Sequence, residues 1–260
     1  MMVDGSYAVA GALTGFVVGL TGVGGGALMT PILLLFFGVA PVTAIATDLW
    51  FAVVTKFVAA GIHGTGGRVD WQVVRRLWGG SLPVALLVVM LVGYGVKIHK
   101  IQWMSQAIGV VVLLTAMGLL FAPALQKRAR ARRIGQPEKF KVLQPPLTVL
   151  GGSVLGVCVA LTSVGAGALG SVLLLYLYPL RMTPHRLVAT DIVHAIPLAV
   201  VAGSGYFLAG LVDGRMLASL LAGSVPAVVV GSLLARRLGG RWLQVALAAV
   251  LLAVGAKIFV

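Results

Sequence analysis

Charge is what this sequence has least of. Only 10% of its 260 residues are charged, and six of these are acidic against twenty Lys and Arg. A soluble domain carries about 25% charged residues. With 60% of its residues hydrophobic, the chain cannot cover its surface with polar groups, and its mean hydropathy of +1.07 says the same. Water is therefore not its main solvent, which predicts an integral membrane protein. Cysteine is almost missing as well. Cys158 stands alone within an apolar run, which excludes an intrachain disulfide and a cysteine metal cluster. HExxH, GxSxG and Walker sequences are absent, and no ATPase domain accompanies the apolar segments. The four histidines, His63, His99, His185 and His194, have no metal-ligand spacing. These absences predict a protein that is not an enzyme, with no cofactor and no bound metal. The opening MMVDGSYAVAG lacks a basic n-region, so no cleaved leader is predicted.

The net charge of +14 would suit nucleic acid if it formed a face. It does not. Lys127, Arg128, Arg130, Arg132, Arg133, Lys139 and Lys141 share one interhelical loop from Gln126 to Leu143, and most other basic residues stand at segment ends. That pattern follows the positive-inside rule of membrane proteins, so the predicted partner is the lipid bilayer and not nucleic acid.

What is present is a repeat. LTGVGGGALMT at Leu20–Thr30 returns 141 residues later as LTSVGAGALGS at Leu161–Ser171, with seven of eleven positions identical. Ala46-Thr47-Asp48 returns as Ala189-Thr190-Asp191, Val69-Asp70 as Val212-Asp213, and Gly80-Ser81 with Pro83 as Gly223-Ser224 with Pro226, each at an offset of 143. Landmarks in one order and nearly one register mark an internal duplication. It divides the chain into a membrane repeat over 1–124, a basic linker over 125–145 and a second membrane repeat over 146–260.

Each half holds five apolar segments. These run from Tyr7 to Thr21, Gly26 to Val39, Val42 to Ile62, Gln72 to Val96 and Ile101 to Ala122, then Leu147 to Thr162, Ala166 to Tyr178, Leu187 to Ala209, Met216 to Ala235 and Trp242 to Phe259. The fold class expected is all-α. The first two segments of each half are short, since about fifteen residues reach about 22 Å against a hydrocarbon core of about 30 Å. Each pair is either a re-entrant hairpin or two short spans around the glycine-rich break. A third arrangement fuses each pair into one broken span, with eight crossings and parallel repeats. With the basic loop in the cytoplasm, five segments per half place 15 basic residues inside and 4 outside, whereas fused pairs give about 12 and 7. Charge therefore favours two inverted repeats, with both termini on the non-cytoplasmic side.

Lipid offers no hydrogen bonds, so glycine-rich backbone at membrane depth must be buried in protein or line a polar cavity. Inverted repeats meeting at broken helices are a recurring plan of secondary transporters. Helices beginning at about Gly26 and Gly167 would aim their N–H groups and positive dipole ends at such a site, which prefers an anion. The predicted substrate-binding set is Thr21, Gly22, Gly24, Gly25, Gly26 and Thr30 from the first break, with Thr162, Ser163, Gly165, Gly167 and Ser171 from the second.

These residues resemble the TauE/SafE family of sulfite-exporter-like membrane proteins. The resemblance rests on GLTGVGGGALMTPILLLFFGV, the Ala-Thr-Asp segment and their second copies, and covers nearly the whole chain. It implies a multi-pass transporter in the bacterial cytoplasmic membrane that moves sulfite or an organosulfonate. Ser163 in place of Gly22 and Ala166 in place of Gly25 imply that the two half-sites bind substrate differently.

The charged candidates each carry two readings. Asp48 and Asp191 either tie loop backbone near the interface or act as proton-coupling or gating acids. His194, three residues after Asp191 on the same helix face, either pairs with it in the pathway or is incidental, since Phe51 occupies its counterpart. Lys56 either contacts the anion or snorkels to the cytoplasmic end. His63 reads as a surface turn. Pro83 and Pro226 read as shared bends, and Trp71 and Trp242 as interfacial anchors. The rival to transport is a non-transporting binding or assembly subunit that uses the basic loop as its contact. The oligomeric state is left open.

Overall fold

The computed structural model describes residues 4–21, 26–63, 69–93, 101–135, 137–234 and 240–258. These form ten helices and, among the described residues, no strand. In order they are α1 (Gly5–Thr21), α2 (Gly26–Phe37), α3 (Pro41–His63), α4 (Trp71–Gly93) and α5 (Ile101–Gly135), then α6 (Pro137–Thr162), α7 (Ala168–Leu177), α8 (Pro184–Leu208), α9 (Gly214–Leu234) and α10 (Gly240–Lys257). The segments predicted from hydropathy reappear as these helices, with ends shifted by a few residues. Pro41 and Pro184 open theirs, where a missing N–H costs nothing. Asp70 and Asp213 cap α4 and α9: Asp70 Oδ1 accepts from Val73 N at 3.4 Å and Asp213 Oδ1 from Met216 N at 3.0 Å.

One stretch differs from its prediction. The basic interhelical loop is mostly helix, because α5 continues to Gly135 and α6 starts at Pro137. Its Gln, Lys, Arg, Ala and Leu residues are good helix formers, and charge alone does not break a helix. As a result α6 is not short. Lys141–Thr162 is long and apolar enough to cross a membrane, as are helices within Pro41–Ile62, Trp71–Leu91, Met104–Ala131, Pro184–Leu208 and Gly214–Leu234. α1, α2 and α7 remain short, with 17, 12 and 10 residues. Leu13, Leu87, Leu114, Phe121, Leu150 and Val230 project outward, as befits helices whose outer faces meet lipid.

The two halves pack through each other. α1 lies along α9, and its counterpart α6 lies along α4. The contacts match residue by residue, and small residues make them possible. A methyl group added at Gly15 would come within 2.6 Å of Ser224 O, and one at Gly156 within 2.5 Å of Ser81 O. Likewise, Gly11 meets Leu220 as Gly152 meets Leu77, and Gly223 meets Ala8 as Gly80 meets Val149. Lipid tails give helices no hydrophobic reason to associate, so close backbone approach at such stripes supplies much of the attraction. α3 and α8 form the centre, each packed on the other and on helices of both halves. The caps are tied across halves in the same reciprocal way. Asp70 N donates to Thr190 Oγ1 at 3.1 Å, and Asp213 N to Thr47 Oγ1 at 3.2 Å.

Candidate functional site

The second break is well defined. Ser163 takes a left-handed φ of 58° and Gly165 a φ of 121°, the latter a conformation that side chains rarely tolerate. Thr162 Oγ1 donates to Cys158 O at 2.6 Å and accepts from Val164 N at 3.1 Å, so its hydroxyl ends α6. Gly170 N donates back to Gly165 O at 3.0 Å, and Gly167 caps α7 with no side chain at that end. Gly22, Gly24 and Gly25 of the first break lie outside the described residues, while Gly26 opens α2.

α3 and α8 run antiparallel: Trp50 Nε1 donates to Gly203 O at 3.1 Å, whereas Lys56, further along α3, meets Asp191, earlier on α8. Between these helices and the second break lies a narrow cleft. Lys56, Ser163, Gly165 and Gly167 line it, with Ala52 and Ala199 keeping the walls low. About one water molecule fits in it.

Lys56 does not snorkel. Its side chain is 4% exposed, and Nζ lies 3.2 Å from Asp191 Oδ2 in a buried ion pair. α3 is packed against α2, α8 and α9, and Lys56 lies on its covered side. Asp48 has a different partner, accepting from Thr30 Oγ1 at 2.5 Å. Both carboxylates are fully enclosed, and neither ties loop backbone. Each also keeps one oxygen, Oδ1, without a hydrogen bond. Ser163 Oγ lies near the Asp48 carboxylate but forms no hydrogen bond of ordinary geometry. His194 does not pair with Asp191. Its Nε2 is 3.0 Å from Ser81 Oγ, and its backbone carbonyl accepts from Trp78 Nε1 at 3.2 Å. The matched Ser224 hydroxyl lies against Gly15 of α1 and is left without a partner.

The structure thus brings Lys56, Asp191, Ser163, Gly165 and Gly167 together, with Asp48 and Thr30 beside them. The hydroxyls of Thr21 and Thr162 are engaged by carbonyls of their own helices. Ser171 is buried but is not the partner of Asp191 that Thr30 is of Asp48. The backbone carbon of Gly170 takes that place, since a methyl there would stand 2.8 Å from Asp191 Oδ1. Sequence reasoning missed two features. Ser81 was visible only as a repeat landmark. Asp70 was too, yet its buried carboxylate holds Arg181 Nε at 2.5 Å and Arg186 Nη2 at 3.4 Å. A signal existed: Arg181 and Arg186 have Gly38 and Thr43 as counterparts, so the charge belongs to one half only.

Ionisable groups buried like these, in a molecule whose outer faces are apolar, are costly and mark pathways. The class is a multi-pass membrane transporter. The family model described as Sulfite exporter TauE/SafE matches residues 7–258, and the chain belongs to that family. It is 34% identical to the Probable membrane transporter protein YjnA of Bacillus subtilis (strain 168), over 97% of this chain and 98% of that one. It is 31% identical to a Probable membrane transporter protein of Haemophilus influenzae over 60% of this chain and 57% of that one, and 27% identical to YdhB of Bacillus subtilis over 85% of each. No solved structure matches the chain. With relatives in two bacteria, its membrane is the bacterial cytoplasmic membrane.

Proposed function

We propose that this protein is a secondary transporter that exports a small sulfur-containing anion, sulfite or an organosulfonate, across the cytoplasmic membrane. The observation that carries this reading is Lys56: a buried cation lining a cleft at a broken helix, facing Ser163 and the uncapped start of α7. An ammonium, free N–H groups and a hydroxyl are the donors that a sulfur oxyanion accepts from. Gly22, Gly24, Gly25 and Gly26, with Thr21 and Thr30, supply the matching half-site in this reading. Thr162, Gly165, Gly167 and Ser171 shape the second, and Asp48, Asp191 and His194 are its gating or proton-coupling groups. The antiparallel course of the matched helices α3 and α8 supports two inverted repeats and counts against eight crossings, which would run them parallel. The basic helical linker over 125–145 then lies in the cytoplasm.

The narrow cleft corresponds to a closed state, with the anion admitted when helices part on one side. Flux in proteoliposomes tests the function. Labelled sulfite, thiosulfate, sulfate and methanesulfonate are offered on one side, with and without a pH gradient. Saturable movement of at least one, abolished in Lys56→Gln, is the expected result. No movement of any of them by folded protein would overturn it and leave the binding or assembly subunit as the better reading.

A further inference from the structure

The two buried acids occupy matched places on α3 and α8, yet they are not equivalent. Asp48 accepts a short hydrogen bond from Thr30 of its own half on Oδ2, while its Oδ1 has no hydrogen bond. Asp191 has no hydroxyl partner and relies on Lys56 from the other half. Lys56 is also the cation of the cleft. An anion docking there and the Asp191 carboxylate therefore want the same ammonium.

We propose that Lys56 and Asp191 are a single switch in which the anion and the Asp191 carboxylate compete for the Lys56 ammonium, so that binding one singly charged anion requires Asp191 to take up one proton. This rests on the anion reading of the cleft. The reason is charge balance in a site with little water. With the cleft empty, the pair is neutral. With a monoanion on Lys56 and a proton on Asp191, the site is neutral again. An anion beside an ionised Asp191 leaves one unbalanced negative charge, and a protonated Asp191 with no anion leaves one unbalanced positive charge. Both unbalanced states carry the full penalty of an uncompensated buried ion, so both are scarce. Only the two balanced states are left to reorient. Anion and proton then travel together, and the direction of net movement is set by the sum of their gradients. A high cytosolic anion concentration drives export.

Asp48 and His194 are the other buried titratable groups beside the exchange, each with one polar atom unpaired. From α3 come Lys56 and Asp48, the latter bonded to Thr30. α8 itself brings His194, which is held by Ser81 of α4. The charges of α4 are Arg75 and Arg76 near its start, with Asp70 just before it paired to Arg181 and Arg186. α7 carries only Tyr176, near its far end, and α6 carries Cys158 and the charged groups of its first turns. Against Asp191 itself α7 presents the bare backbone of Gly170, and among the described residues Lys56 is the one hydrogen-bond donor to its carboxylate. The Ser163 hydroxyl, 4% exposed and near the Asp48 carboxylate without a hydrogen bond of ordinary geometry, lines the same cleft and is a second donor for the anion.

The test is calorimetric binding to the purified full-length protein in detergent. Methanesulfonate, sulfate and sulfite are titrated in buffers of different ionisation enthalpy. Methanesulfonate stays a monoanion throughout, so any proton taken up belongs to the protein. Wild type should take up one proton per methanesulfonate, and its affinity should fall about tenfold per pH unit on the alkaline side. Asp191→Asn should shift the pH at which the slope sets in, because an empty site without the carboxylate is balanced only with Lys56 neutral and the proton is then loaded on Lys56. Lys56→Gln should bind at least tenfold more weakly. Should either single variant misfold, the wild-type proton count decides alone, and Lys56→Gln/Asp191→Asn supplies a neutral pair expected to fold and not to bind. Binding without proton uptake in wild type, or with the same pH profile in Asp191→Asn as in wild type, would overturn the switch. If such a protein still moves an anion in vesicles, only the coupling falls. Binding of none of the three probes and absence of flux would remove the switch and the anion reading together.

Discussion

At the scale of single residues, matched positions in the two halves have drifted to unlike chemistry. Asp70 and Asp213 both cap a helix, and both backbone amides reach a threonine of the opposite half. Asp70 is buried and holds two arginines, whereas Asp213 is exposed with no arginine counterpart in place. Asn caps a helix as well as Asp does, so the cap itself survives either substitution. Asp213→Asn should therefore change stability by less than about 0.5 kcal/mol. Asp70→Asn removes charge-assisted bonds from a buried carboxylate and should cost about 1.5–3 kcal/mol, discounted toward the lower figure because Arg181 is 41% exposed. Thermal unfolding of the two variants in the same detergent checks this. Equal losses would mean that the arginines contribute nothing beyond the cap.

At the scale of helices, neighbouring glycines separate packing from propensity. Gly79 and Gly80 are consecutive in α4. A methyl added at Gly79 meets nothing within 4 Å, whereas one at Gly80 runs into the Val149 carbonyl of α6. Gly79→Ala should stabilise the protein by about 0.5–1 kcal/mol, because alanine loses less backbone freedom on entering a helix. Gly80→Ala should destabilise it by about 1–3 kcal/mol, because α4 and α6 must move apart against backbone that cannot yield. Melting temperatures that shift in opposite directions are the expected outcome. A shift of the same sign in both would remove the close approach of α4 and α6 as a source of stability. The basic linker teaches a related lesson about elements. Its charges mark which side of the membrane it occupies, while its helix-forming residues decide its conformation, and the two properties are independent.

At the scale of the whole molecule, reciprocal packing makes the halves one unit. Neither half presents a closed core alone, since α1 needs α9 and α6 needs α4. The inverted arrangement predicts sidedness, which impermeant thiol labelling of intact cells can read. In a Cys158→Ser background, Arg215→Cys should react from outside and Lys127→Cys only after the cells are opened; both positions are exposed. Labelling of Lys127→Cys in intact cells would overturn the proposed topology.

Hydropathy and repetition are properties of the chain itself, and they carried the helical class, the duplicated halves and the family. An apolar run of given length must become a helix in lipid whatever surrounds it, so ten helices were legible from composition along the chain. The second break was legible too, because Gly165 stands where only a residue without a side chain sits easily. Which side chains meet was not legible. Lys56 and Asp191 are 135 residues apart, and the sequence offered Lys56 only an anion or the cytoplasmic membrane surface as its neighbour. Nor did the three-residue step from Asp191 to His194 reveal that each would turn to a different neighbour. Those pairings depend on the antiparallel crossing of α3 with α8 and on how closely glycine lets α4, α6 and α7 approach. Distance in space between residues far apart in sequence is set by packing, and only the tertiary structure decided it.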